Sequence, residues 1–390
     1  MSAAVAEDQP GYAALLAAVA ISGVLFCGCG AGPVVSSSLA GGGTSTSSNG
    51  TKQTAGPFIS TVAAQNGAVI VTLTSPTPGA TILYSVDGTM PNAASSSTMI
   101  YQAPFLMASN LTVTAIAMSP GYASSAPLLQ TFTPNIPSGT LVWSDEFSNA
   151  TSASAQPNPL VWTYHTGNNG FGNQELENYC AWGSAAAPCN PANPNAYTDP
   201  SGILHIVARQ PSTGVYTSAR LKTQGLFSFQ YGRIEARMML HESQGMWAAF
   251  WLLGNSIATV NWPACGELDV IEHINGSNPQ NEGHDWVQGS IHGSNLNGGI
   301  QYHPVAFTAA AWHTYGMIWS KGQIQYYVDA PSSIYATSTP STQTGTWPFD
   351  SGPEFILLNL AVGGSWPGSP DPTTVFPSEI QVDYVRLYTN

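Results

Sequence analysis

The chain has 390 residues, 7% of them charged against about 25% in an average soluble protein, and a formal net charge of −13. Its 8 Lys and Arg cannot form the clustered cationic surface that phosphate backbones demand, so a nucleic-acid partner is excluded and a neutral polymer suits better. The length allows two or three domains, and 39 Gly, 29 Pro, many Ser, Thr and Asn and scarce Lys point to an all-β extracellular protein rich in turns.

Residues 13–26 form an apolar run of the length of a signal-peptide core, too short to span a bilayer comfortably. The run ends at Phe26-Cys27-Gly28-Cys29 and is followed by small residues. That junction is similar to a bacterial lipoprotein cleavage site, with Cys29 or Cys27 as the lipidated residue. The segment before it departs from an ordinary export signal, because Met1–Tyr12 holds Glu7 and Asp8 and no Lys or Arg. Residues 1–29 are expected to be a signal of lipoprotein type. They imply a secreted, periplasmic or surface protein attached to the membrane through an N-terminal lipid. Residues 30–56, largely Gly, Ser, Thr and Ala, cannot build a core and read as a flexible tether.

Residues 57–134 alternate polar and apolar side chains in runs such as Ala68-Val69-Ile70-Val71-Thr72-Leu73 and Leu111-Thr112-Val113-Thr114-Ala115-Ile116-Ala117. Strands of that kind between turn clusters predict a small β-sandwich. The run Thr77–Pro91 resembles the immunoglobulin-like module at the end of chitobiase-type enzymes. The segment has no Trp to stack on a sugar, so a spacer role is expected of it.

The remaining chain, 140–390, opens on Leu141–Phe147, an edge-strand pattern. Cys180 and Cys189 flank a loop rich in Pro and Ala and are expected to pair as a disulfide in an exported protein. Cys265 is left alone and reads as a small buried apolar residue rather than a nucleophile. Trp247 and Trp251 lie four positions apart, so a straight strand places both on one face, where indoles would stack on sugar rings. His292 is expected on the strand beside the most unusual stretch of the chain, Gly266-Glu267-Leu268-Asp269-Val270-Ile271-Glu272-His273.

That stretch places three carboxylates within an apolar strand of an acid-poor fold. Strand alternation puts Glu267 and Asp269 on one face and Leu268 and Val270 on the other. By strict period Glu272 points away, unless one extra residue near Ile271 forms a bulge that turns it back. Crowded acids raise one another's cost of ionisation, so some hold a proton at neutral pH. Glycoside hydrolysis needs such a mixture: one ionised carboxylate and one protonated acid flanking the scissile bond.

The stretch resembles the active-site signature of glycoside hydrolase family 16, in the bulged Glu-x-Asp-x-x-Glu form of laminarinase-like members. Trp262–Gly266, Leu358–Gly368 and Val382–Tyr388 agree with the family pattern, and the likeness covers about residues 140–390. The resemblance implies an all-β, concanavalin-like jelly-roll sandwich of two curved antiparallel sheets, with an open groove on the concave face. It implies a retaining mechanism with Glu267 as nucleophile, Glu272 as acid and then base, and Asp269 orienting Glu267. The substrate is expected to be a β-1,3-glucan such as laminarin, cut internally. The rivals are mixed-linkage glucan or an agar-type galactan, and a non-catalytic glucan-binding protein.

Substrate contacts are expected from Asn173, Trp247, Trp251, Trp262, His292 and Trp366. In the family loop at Gly170–Tyr179, Phe171 and Glu177 stand where Trp and Gln are usual. The chemistry requires no cofactor, but the resemblance implies a structural Ca²⁺ on the convex side, held by Glu146, the Gly202 carbonyl and Asp383. The expected assembly is a monomer.

Overall fold

Period-two patterning decides which faces of these strands meet. A computed structural model of the chain describes residues 52–390 apart from 94, 96, 242, 276–285 and 305–306. The expected signal, the cysteines expected to carry a lipid and the expected tether up to residue 51 lie outside the described residues.

Among the described residues two large sheets make the body of the protein. One has seven antiparallel strands in the spatial order Leu296–Tyr302, Val287–Gly293, Glu267–Asn275, Met246–Gly254, Glu354–Val362, Arg220–Lys222 and Thr163–His165. The other has ten, with Gly232–Met239 lying between Ser378–Tyr388 and His313–Ser320. The last strand, Ser378–Tyr388, pairs along one side first with Leu204–Ser212 and then with Leu141–Asp145, so the end of the chain holds the start of the domain.

The apolar half of each alternation fills the space between the sheets. Met246, Ala248, Phe250 and Leu252 from the first meet the cluster that contains Ile234, Ala236 and Met238 from the second. Each such buried Leu, Phe or Met contributes roughly 1.5–3 kcal/mol. A layer of that size can offset the cost of polar groups on the opposite face of the same strands. That face carries Trp247, Ala249, Trp251 and Leu253, and it is where the acids lie. Two sheets packed in this way form the expected jelly-roll sandwich.

The small module has three strands on one side (Phe58–Ala63, Val69–Thr74, Phe105–Met107) and four on the other (Met99–Ile100, Thr81–Ser85, Leu111–Met118, Leu128–Phe132). Its own core includes Val71, Leu73, Tyr84, Phe105 and Val113, with the Tyr84 and Phe105 rings stacked at 5.0 Å. It is docked on the larger domain by directional bonds. The Leu106 amide donates to the Ser228 carbonyl at 2.9 Å, the Ser228 hydroxyl donates to the Pro104 carbonyl at 2.8 Å, and the Gln65 amide donates to the Val142 carbonyl at 3.1 Å.

Candidate active site

The strand Glu267–Asn275 carries the bulge that its sequence suggested. Opposite Met246–Gly254 the pairing runs Trp251 with Asp269 and then Phe250 with Ile271, so Val270 is the extra residue. The same slip appears on the other side, where Asp269 faces Ser290 and Glu272 faces Gln288. Val270 and Ile271 both enter the inter-sheet core. Two consecutive apolar residues on one side restore Glu272 to the face of Glu267 and Asp269.

Glu267 and Glu272 line a cavity of about 600 Å³ together with Asn173, Trp247, Trp262, His292 and Trp366. Gln288, Asn295, Asn297 and Thr344 complete one side. A second cavity of about 500 Å³ lies in the seam between the module and the larger domain, among Tyr84, Phe105, Leu106 and Phe229. Among the described residues, no Asp, Glu or His side chain lines it.

Within the first cavity each acid has its own partners. Trp262 Nε1 donates to Glu267 Oε2 at 3.1 Å. His292 Nε2 lies 3.1 Å from Asp269 Oδ2 and 3.7 Å from Glu267 Oε1, so the imidazole stands beside both acids. Glu272 receives three donors: the Ser290 hydroxyl at 2.7 Å and Gln288 Nε2 at 3.3 Å on Oε2, and Trp247 Nε1 at 3.2 Å on Oε1. Burial pushes Glu267 up to about 8, with the charge of Asp269 adding to the effect and His292 opposing it. Burial and then the charge of Glu272 hold Asp269 well above the usual carboxylate range. Burial raises Glu272 as well, against the hydrogen bond from Ser290, the charge of His292 and the bonds from Gln288 and Trp247. At neutral pH the three acids cannot all be ionised, which leaves carboxylate and carboxylic acid side by side.

The indoles form the walls. Trp247 meets Trp366 edge-on at 5.3 Å, and Trp262, 56% exposed, stands at the mouth. Asn173 is tied to the Trp366 loop through its carbonyl, which accepts the Ser365 amide at 2.8 Å. Gly364 makes that approach: it has φ +114°, and a Cβ there would lie 3.0 Å from the Asn173 carbonyl oxygen.

Trp251 departs from expectation. Its side chain lies on the face that alternation assigns, but it is buried and does not line the cavity. Its Nε1 donates to Asn359 Oδ1 at 2.8 Å, and the Arg220 guanidinium covers its ring at 4.6 Å from the centroid. Arg220, also stacked on Phe171 at 5.1 Å, turns an expected sugar platform into part of the cleft's foundation.

The residues of the expected calcium set have partners of their own. The backbones of Glu146 and Gly202 adjoin, since a Cβ on Gly202 would lie 3.4 Å from the Glu146 carbonyl oxygen. Both expected carboxylates are committed to arginines: Glu146 accepts from Arg386 Nε and Nη2 at 2.9 and 2.8 Å, and Asp383 accepts from Arg237 Nη1 at 2.6 Å. Each of these carboxylates is thus charge-balanced by an arginine, which weakens its pull on a dication. Among the described residues, the cluster of three metal-type side chains is Glu267, Asp269 and His292, whose ligand atoms lie within 4.8 Å of one another.

Cys180 and Cys189 form the expected disulfide. Cys265 is free and buried, its thiol pushed up to about 12 by burial, which suits a packing role. Sequence reasoning did not single out Gln288 and Ser290. Both lie on the neighbouring strand at registers that only the hairpin reveals.

Comparison with known proteins bears on this arrangement. Residues 188–386 match the model of glycosyl hydrolases family 16, just over half of the chain. The chain belongs to that family. Residues 62–128 match the chitobiase/beta-hexosaminidase C-terminal domain, in agreement with the module's strand pattern. The family 16 chain is 37% identical over 271 residues to a beta-glucanase of Rhodothermus marinus, covering 65% of this chain and 86% of that protein. It is 33% identical to the clotting factor G alpha subunit of Tachypleus tridentatus, covering 65% of this chain but 34% of that protein. Among solved structures, the catalytic domain of an endo-1,3-beta-glucanase (laminarinase) from Thermotoga petrophila aligns with a TM-score of 0.55 and 33% identity. That alignment covers 65% of this chain and 99% of the other.

Proposed function

We propose that the protein is an exported retaining endo-β-glucanase that hydrolyses β-1,3-glucan. One observation carries this reading: a strand bulge turns Glu267, Asp269 and Glu272 to one face, and the two glutamates enter a single tryptophan-walled cavity. The names of the Rhodothermus and Thermotoga relatives support glucan as the substrate class.

In the first step the carboxylate of Glu267 attacks the anomeric carbon while Glu272 gives its proton to the departing glycosidic oxygen. The role of each glutamate follows the order of the family motif. Esterification removes the charge of Glu267, which relieves like-charge repulsion in the cluster and favours the ionised form of Glu272. Its three donors stabilise that anion, which then takes a proton from the attacking water. Asp269, on the same face as Glu267 and beside the same imidazole, takes the orienting role that the family motif gives it. No cofactor takes part.

Export is supported by the apolar run at 13–26 and by the Cys180–Cys189 disulfide, a bond that persists in oxidising compartments. Attachment through a lipid at Cys27 or Cys29 and a monomeric state belong to the same proposal. Sizing the products released from laminarin, lichenan and agarose tests the substrate assignment. Short β-1,3-linked oligomers from laminarin are expected, and release from agarose alone would overturn it.

A further inference from the structure

The bonds around Glu272 have a direction. Gln288 Nε2 donates to Ser290 Oγ at 3.0 Å as well as to Glu272 Oε2 at 3.3 Å, and the Ser290 hydroxyl donates to the same carboxylate oxygen at 2.7 Å. A hydroxyl has one hydrogen to give. By donating to Ser290, the amide turns that hydrogen toward Glu272. Oε2 thus receives two donors, which leaves Oε1, beside Trp247 Nε1, as the oxygen that can carry an exchangeable proton.

The amide has room to do this because the next strand lacks a side chain at one position. A Cβ on Gly299 would lie 2.6 Å from Gln288 Nε2 and 2.8 Å from its Cδ. Gly299 lies on the strand Leu296–Tyr302, opposite Ser290 in the pairing. Among the described residues, the titratable groups around Glu272 are Glu267 and Asp269 on its own strand, His292 on the adjacent one, and Tyr326 and Tyr335 from the strands behind. None of them donates to Oε2.

We propose that Gln288, seated in the gap left by Gly299, is a positioning residue that orients Ser290 and places the transferable proton of Glu272 on Oε1. The inference rests on the assignment of Glu272 as acid and base. It accounts for a polar side chain on the cavity wall and an adjoining glycine with one arrangement.

The test compares Gln288→Leu, Gly299→Ala and the double variant by pH profiles of kcat/KM. Two substrates are used: laminarin, and an activated aryl β-laminaribioside whose leaving group needs no proton. Losing a donor to the anion raises the acid, so the basic limb on laminarin should move up by about half to one pH unit in both single variants. kcat/KM at neutral pH should fall about tenfold on laminarin and less than about twofold on the aryl glycoside. The double variant should show no more than the larger single effect, because both changes remove the same contact. An unmoved basic limb in both single variants, or equal losses on the two substrates, would overturn the proposal. Glu272→Ala keeps the two failures apart. If it does not spare the aryl glycoside relative to laminarin, the acid/base assignment itself is wrong. If it does and the other variants behave as wild type, only the role of Gln288 is lost.

Discussion

Glu175 and Glu177 are buried as deeply as Asp269 and Glu272, yet the two groups of acids have different surroundings. Glu175 accepts from Asn173 Nδ2 at 3.0 Å and from the Tyr179 hydroxyl at 2.8 Å, and Glu177 accepts the Val362 amide at 2.7 Å. Neither lines the cavity. Burial, followed by the charge of Glu175, raises Glu177 to about 8, the same level as Glu267. A perturbed acid is therefore not by itself a catalytic one. In this fold what distinguishes the two groups is access to a sugar-sized space walled by indoles.

The sharpest way to break that comparison is to neutralise one acid in each group. Glu267→Gln should lower laminarin hydrolysis by at least about a thousandfold without lowering the melting temperature, since a neutral amide of the same shape suits a site where burial already disfavours the charge. Retained reducing-sugar release would refute the nucleophile assignment. Arg220 lies between the groups, stacked on Phe171 and Trp251, and its charge favours the ionised form of Glu267. Arg220→Met should therefore raise Glu267 further, move the acidic limb of the kcat/KM profile to higher pH, and reduce activity at pH 6 about tenfold.

Glu177→Gln should leave activity within about twofold. A carboxyl raised in the folded state binds a proton that the unfolded chain has released, so stability falls as pH rises from about 4.5 toward 8. The amide escapes that loss. Its melting temperature relative to wild type should rise by about 3 °C or more between pH 5 and pH 8, as read by calorimetry. A constant difference would mean that Glu177 is ionised when buried. The smallest effect is expected at Trp251. Trp251→Phe loses the bond to Asn359, costing about 1 kcal/mol or 2–4 °C, and should leave KM for laminarin within about twofold. A large rise in KM would restore Trp251 to the sugar-binding face.

The sequence exposes some of these features and hides others for identifiable reasons. The acid strand is readable because one extra apolar residue, Val270, breaks a strict alternation over eight positions. The disulfide is readable because its cysteines lie only nine positions apart, at the two ends of one short loop. Trp251 is misjudged because alternation gives the face of a strand and not the depth beneath its neighbours. Arg220 and Asn359, which cover it, come from strands 31 and 108 positions away. The arginine partners of the expected calcium set are hidden because a linear reading counts carboxylates without their counter-ions. Arg237 and Arg386 reach Asp383 and Glu146 across a sheet whose registers are absent from a linear reading. Gln288 and Gly299 are individually ordinary, and only their juxtaposition across a hairpin gives them meaning.

The central claim is that Glu267 and Glu272 act from one face in two successive displacements. Proton NMR of the anomeric signals during the first minutes of laminarin hydrolysis tests it most directly. The account predicts that the β-anomer of the new reducing end appears first and then mutarotates. Initial appearance of the α-anomer would show a single inverting displacement and would contradict the assignment of Glu267 as nucleophile.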